Sequence, residues 1–263
     1  MFENNMFSET YAIFVRWTRK TLRKPLILFF SLVQPIIWFL LFTQAFQSVA
    51  NVPNFKAISG TSSYLTFFSA AVIIQTVISS AMQSGLGMVT DMESGYLDKL
   101  RVAPISRFSI LTGKVLSDGA RIFIQVLIII ALGYALGVTF VTGVGGLLIL
   151  LLLAVAFGIA WSGLSIFIAL ATKNSEATLM INLLTTFPLL FLSTAVMPKS
   201  FLPNWVQTVA TYNPISYIAD GFHTLIIHGF DWGTIGQAIL VIAFVGTITL
   251  LATTAMFRRA VTR

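Results

Sequence analysis

The chain has 263 residues, with 16 Lys and Arg against 9 Asp and Glu, no Cys, and 57% hydrophobic residues. Only 10% are charged, against about a quarter in soluble domains, and mean hydropathy is +0.90. This excludes disorder, collagen, a disulfide scaffold and an ordinary soluble enzyme, and leaves an integral membrane protein whose net charge of +7 reports topology rather than nucleic-acid binding.

Residues 5–23 come first. On a helical wheel of about 100° per residue, Phe7, Tyr11, Phe14, Val15, Thr18 and Leu22 share one arc. Glu9, Arg16, Arg19, Lys20 and Arg23 take the opposite arc, while Ile13 and Trp17 lie off the apolar stripe. The pattern predicts an amphipathic interface helix within 1–25, apolar face in lipid. Tyr11, Arg16, Arg19 and Lys20 are its candidate contacts, either for a simple topology anchor or for docking a cytoplasmic subunit.

A spanning helix needs about 20 mostly apolar residues. Stretches between charges predict six, near 26–46, 64–88, 115–137, 146–170, 177–196 and 233–257. The third and fourth share 51 uncharged residues between Arg121 and Lys173, divided by Gly137, Gly143, Gly145 and Gly146. Gln34, Gln75, Gln83, Gln125, Asn182 and Thr185 fall inside spans and serve either helix–helix hydrogen bonds or a substrate path. Gly133 and Gly137 are spaced for close helix packing. Pro35 and Pro188 interrupt spans one and five as plain kinks or as hinges. Trp205, Trp232 and Tyr64 are expected as interface anchors.

Between spans two and three, a loop over 90–110 carries Glu93, Gly95, Tyr96, Leu97, Asp98, Leu100, Arg101, Pro104 and Arg107. Ser94 is expected to cap a short helix that Pro104 ends. Its face of Tyr96, Leu97 and Leu100 suits pressing into another protein; a solvated connection is the alternative. The segment 197–232 is broken by Pro203, Asn213, Pro214, Gly221 and Gly229. It is expected as two short re-entrant helices, because one more span would put the Arg258, Arg259 and Arg263 tail on the wrong side.

With the N-terminus inside, 14 basic residues lie on the inner side and two, Lys56 and Lys199, on the outer. Both termini are therefore expected in the cytoplasm, and the first 25 residues show no signal peptide. The chain reads as one domain over 1–263: an all-α polytopic membrane protein of six transmembrane helices, with an interface helix and re-entrant helices before the last span.

Several motifs now combine. Glu93 and Gly95, Leu97 and Leu100, Pro-Ile-Ser-Arg at 104–107 and Gly113-Lys114 together resemble the coupling loop of type-2 ATP-binding-cassette (ABC) exporter permeases, closest to the drug-resistance (daunorubicin-type) branch. Asn213-Pro214 followed by Tyr217 resembles that family's motif before the last span. The family often follows it with an acid and a base; here Asp220 and His223 stand there, and His is largely neutral at pH 7.

The resemblance implies a subunit that does no chemistry. It implies a second permease, identical or related, that completes the path, and two copies of a separate ATPase that supply ATP and magnesium. The coupling loop and interface helix would transmit ATPase closure, and a hydrophobic drug or lipid-like substrate would be exported through the cell (inner or plasma) membrane. A polysaccharide or glycolipid exporter is the alternative within the family. No cofactor or nucleic acid is expected on this chain.

Other classes fit less well. Gly113-Lys114 is followed by Val115, so the phosphate-binding Gly-Lys-Ser/Thr pattern fails. His223 and His228 beside Asp220 and Asp231 could activate Ser216 or hold a metal, but no matching motif accompanies them. An ion-coupled carrier needs an embedded ionisable site. Asp118 and Arg121, one turn apart, sit at the inner end of span three, where they could pair locally or meet the partner ATPase.

Overall fold

Long uncharged apolar runs fold as helices because, away from water, a helix satisfies its backbone polar groups within one segment. A computed structural model describes residues 6–23, 25–97, 99 and 105–262, and among them every regular element is helical. The helices are α1 (Met6–Leu22), α2 (Pro25–Ala45), α3 (Phe55–Ser59), α4 (Tyr64–Glu93), α5 (Arg107–Ala135), α6 (Gly143–Thr172), α7 (Ser175–Phe191), α8 (Asn204–Tyr212), α9 (Pro214–His223) and α10 (Trp232–Thr262).

Four helices are long and apolar enough to cross a membrane: α4, α5, α6 and Trp232–Phe257 of α10. They answer predicted spans two, three, four and six. Of the other two, α2 has 21 residues, in line with the first predicted span, whereas α7, with 17, is shorter than the fifth. At 1.5 Å per residue α7 is about 25 Å long, against a hydrocarbon core of about 30 Å. It stops at Phe191 because the Asn213 side chain takes the carbonyls of Leu189 and Leu192, at 2.6 and 2.9 Å.

The helix α4 is the centre of the bundle, packed by α2, α5, α6 and α7. Its contact with α6 is close: a Cβ on Gly85 would stand 2.4 Å from the Ser165 carbonyl oxygen. The expected Gly133/Gly137 packing face does not form, because α5 ends between them. Gly137 takes φ +95° just past the helix, its N–H reaches the Tyr134 carbonyl at 3.1 Å, and the Val138 N–H reaches the Gly133 carbonyl at 2.9 Å. These two bonds close the helix end as a Schellman motif, which favours Gly at that left-handed position.

Tyr64 is not an interface anchor. Its ring is buried among Phe46, Phe55, Phe67 and Phe68, and its hydroxyl donates to the Val196 carbonyl at 3.2 Å. Trp205 and Trp232 are exposed, as anchors need. The segment 197–232 does contain two short helices, α8 of 9 residues and α9 of 10, the latter continued by a π-helical turn over Thr224–His228, and each is too short to span.

Candidate functional site

The polar chemistry concentrates where α1 crosses the end of α4 and the start of α5. Gly113 makes the crossing possible: a Cβ there would lie 2.7 Å from the Thr10 carbonyl oxygen and 2.8 Å from Ile13 Cβ. The buried stripe of α1 is Ile13 and Trp17, which pack with Met88, Val89, Leu97, Ile110, Ile166 and Phe257. Phe7, Tyr11 and Leu22 are exposed on its other side. The predicted apolar face is thus left open on the outside of the bundle, and a second stripe, Ile13 over Gly113 and Trp17 over Gly87, is the one packed inward.

Charged contacts tie α1 to both ends of the loop over 94–106. At the first end, Arg16 donates to both oxygens of Asp91, at 2.9 and 3.3 Å, and Lys20 pairs with the same carboxylate. Asp91 is nearly inaccessible, so these two cations compensate its buried charge. The Arg16 guanidinium also lies 3.2 Å from the Tyr96 ring centre. Burial pushes the Tyr96 phenol above its ordinary range, with Arg16 opposing and Asp91 reinforcing that shift. At the second end, the Ser106 N–H donates to Glu9 at 3.0 Å.

Several candidate residues adopt unexpected settings. Ser94 lies just past α4 and its hydroxyl donates back to the Asp91 carbonyl at 3.3 Å. Gly95, at φ +66°, makes the turn, and its carbonyl accepts from the Lys99 N–H at 3.4 Å. Leu97 is buried and Tyr96 half-buried beneath α1, while Glu93, Lys99 and Arg107 face outward. Asp98, Leu100, Arg101 and Pro104 lie outside the described residues. On α1, Tyr11 and Arg19 are exposed, whereas Arg16 and Lys20 turn toward Asp91.

Beside this crossing lies a second ion cluster. Lys114 donates to Asp118 at 3.1 Å and to Ser84 at 2.9 Å, Ser84 bonds Asp118, and Arg121 reaches Asp118 at 2.9 Å. Asp118 and Arg121 do pair locally, and Lys114 joins them. Asp91, Glu9 and Lys114 escaped the sequence reading as structural partners. The available signal was an acid or base on the last apolar turn of a span, which must be paired if it is buried.

The candidate path residues do not converge on one cavity. Gln34 is exposed on α2. Gln75 sits by Pro35 and Trp38, Gln83 by Lys114, and Gln125 in a third cavity, where it donates to Ser31 at 2.7 Å. Asn182 donates to the Thr178 carbonyl and Thr185 to the Ile181 carbonyl, each at 2.8 Å, within α7.

At the opposite end of the bundle, Asn213 caps α9 by accepting the Ile215 N–H at 2.9 Å, and Pro214 occupies the first turn, where its missing N–H costs nothing. Tyr217 donates to the Thr211 carbonyl at 2.9 Å, and Asp220 accepts from Thr194 at 2.7 Å. His223 stacks on Phe67 with ring centres 4.2 Å apart and meets the Phe67 carbonyl at 3.1 Å. Ser216 and Asp220 share Thr194, whose N–H donates to the Ser216 hydroxyl at 3.3 Å, while His223 turns to Phe67, so the three form no triad. Among the described residues no His, Asp or Glu cluster could hold a metal.

Comparison with known proteins accords with this arrangement. Residues 8–227 match the ABC-2 type transporter family. Proteins called "Putative transport permease ycf38" are similar: that of Cyanophora paradoxa is 30% identical over 84% of this chain and 74% of its own. That of Pyropia yezoensis is 32% identical over 84% and 75%. The "Daunorubicin resistance ABC transporter permease protein DrrB1" of Streptomyces coeruleorubidus is 26% identical over 78% of this chain and 70% of its own. With its apolar helices and the family match over most of its length, the chain is a multi-pass membrane permease that belongs to the ABC-2 type transporter family.

Proposed function

We propose that this chain is the membrane subunit of an ATP-driven exporter, working with a second permease copy or a related permease. The observation that carries this reading is the double attachment of α1 to both ends of the loop over 94–106, in a chain of this family. Two copies of a separate ATPase press on that loop and hold the nucleotide and magnesium. Glu93, Lys99 and Arg107 present the contact, with Asp98 and Arg101 beside them in sequence. Because Asp91 is clamped by Arg16 and Lys20, α1 and the end of α4 move together, and α4 carries the displacement into the bundle.

In this reading α2 and α7 complete six spans with the four long helices, and both termini lie on the cytoplasmic side of the cell membrane. Helices α8 and α9 then dip into the membrane from the outer side. Gln34 and Thr185 line the path between the two permeases, whereas Asn182 is buried within the chain. The drug-resistance relative supports a hydrophobic drug or lipid-like substrate. An ion-coupled carrier is disfavoured, because Asp118 is held by Lys114 and Arg121 as a structural cluster rather than poised to bind and release a proton.

A pull-down of the chain from its native membrane in mild detergent should recover a soluble ATPase at about one copy per permease. Recovery of the chain alone in several detergents would overturn the ATPase reading. Glu93→Lys combined with Asp98→Lys should leave insertion intact and abolish ATPase association or transport. Full transport with intact association in that variant would show that the loop is not the coupling surface.

A further inference from the structure

Two cavities adjoin beneath α1, and their walls differ in chemistry. The first, of 160 Å³, is walled by Trp17, Lys20, Gln83, Thr90, Lys114 and Arg121. The second, of 150 Å³, is walled by Leu28, Leu32, Ile124 and Ile128, and shares Thr21, Leu28 and Arg121 with the first. From Leu28 to Leu32 and from Arg121 to Ile128, the second cavity steps one to two turns along α2 and α5, away from the α1 crossing.

The charges around the first cavity do not balance. Among the described residues, Lys20, Lys114 and Arg121 of its wall, with Arg16 beside Lys20, face two carboxylates, Asp91 and Asp118. Lys114 is 1% exposed. Arg121 spends its Nε and Nη2 on Ser80 and Asp118, and its Nη1 has no partner among the described residues. Lys114 and Arg121 are the pair held away from water, against the single carboxylate of Asp118, and an excess of buried cations is costly unless an anion joins them. A free phosphate would answer the charge but leave the adjoining apolar slot without purpose. A phospholipid answers both.

We propose that the paired cavities form a site for one anionic phospholipid. Its phosphate headgroup lies among Lys20, Lys114 and Arg121, and an acyl chain lies along Leu28, Leu32, Ile124 and Ile128. The lipid completes the charge balance and joins α1 to α2 and α5. The site stands whether or not an ATPase drives the chain, so its test needs no transport assay.

The test uses the purified full-length chain in detergent with three probes: dihexanoyl phosphatidylglycerol, dihexanoyl phosphatidylcholine and inorganic phosphate, read by native mass spectrometry and thermal unfolding. Phosphatidylglycerol should bind about tenfold tighter than phosphatidylcholine, as a few basic side chains near an anionic headgroup allow. Inorganic phosphate at the same concentration should neither displace it nor raise the unfolding temperature. Lys20→Gln should weaken phosphatidylglycerol binding about tenfold, the effect of losing one charge-assisted hydrogen bond, and leave phosphatidylcholine unchanged. Leu28→Trp, which fills the apolar slot without touching a charge, should weaken phosphatidylglycerol as well. Equal binding of the two lipids would overturn the proposal, as would wild-type affinity in both variants. Displacement of the lipid by inorganic phosphate would show a plain anion pocket and overturn it too. If either variant misfolds, the comparison of the three probes on the wild-type chain decides alone.

Discussion

Asp91 carries the strongest prediction at the scale of single residues. Its carboxylate is buried at the end of α4 and compensated by two cations from a helix more than 70 positions earlier in the chain. Asp91→Ala should release Arg16 and Lys20 and cost about 2 kcal/mol, a charged hydrogen-bond loss moderated because both cations are partly solvated. Hydrogen exchange across residues 6–22 should accelerate while the centre of α4 stays protected; unchanged exchange in α1 would refute the clamp. Arg16→Lys should give a smaller effect in the same direction, since Lys keeps the charge but loses the two-pronged contact and the planar stack on Tyr96.

Individual elements depend on close approach and on capped ends. Gly113 lets α1 cross α5, so Gly113→Leu should cost about 1–3 kcal/mol by overpacking. It should lift α1 without unfolding the bundle, read as protease sensitivity confined to the first 25 residues. The helix α9 depends on Asn213, which caps it and also donates to the carbonyls of Leu189 in α7 and of Leu192 just past it. Asn213→Ala should cost about 1–2 kcal/mol. Asn213→Asp should restore the cap but not the two donors, and so recover only part of the protection of α7. A result in which Asp rescues fully would assign Asn213 to capping alone.

The start of α10 offers a pH test at the same scale. The Thr234 hydroxyl, at 2.6 Å, and then the Gly233 N–H, at 3.0 Å, hold the Asp231 carboxyl below its ordinary range. A depressed acid stabilises the fold above the ordinary Asp value of about 3.9, and that contribution is lost as pH falls through the lowered value. The first turn of α10 should therefore loosen in acid, seen in Trp232 emission of a single-Trp variant. Asp231→Asn should remove that step.

For the whole molecule, composition and charge spacing decide class and order. Water cannot reach the hydrocarbon core, so long uncharged apolar runs must become helices, and Lys and Arg must gather at their ends. This made an all-helical membrane chain legible, together with four long spans, the two short helices within 197–232 and the family. Tertiary packing decided what no local pattern could. Ile13 and Trp17 face inward as a second stripe because Gly113 and Gly87 leave gaps there. Tyr64 is buried because an aromatic cluster surrounds it, and α7 ends early because Asn213 takes its last carbonyls. The charges of Arg16, Lys20 and Lys114 read in sequence as surface features. Asp118 pairs with Lys114 along α5 itself, but Asp91 becomes the partner of Arg16 and Lys20 only when α1 and α4 meet, because an ion pair depends on distance in space and not on separation along the chain.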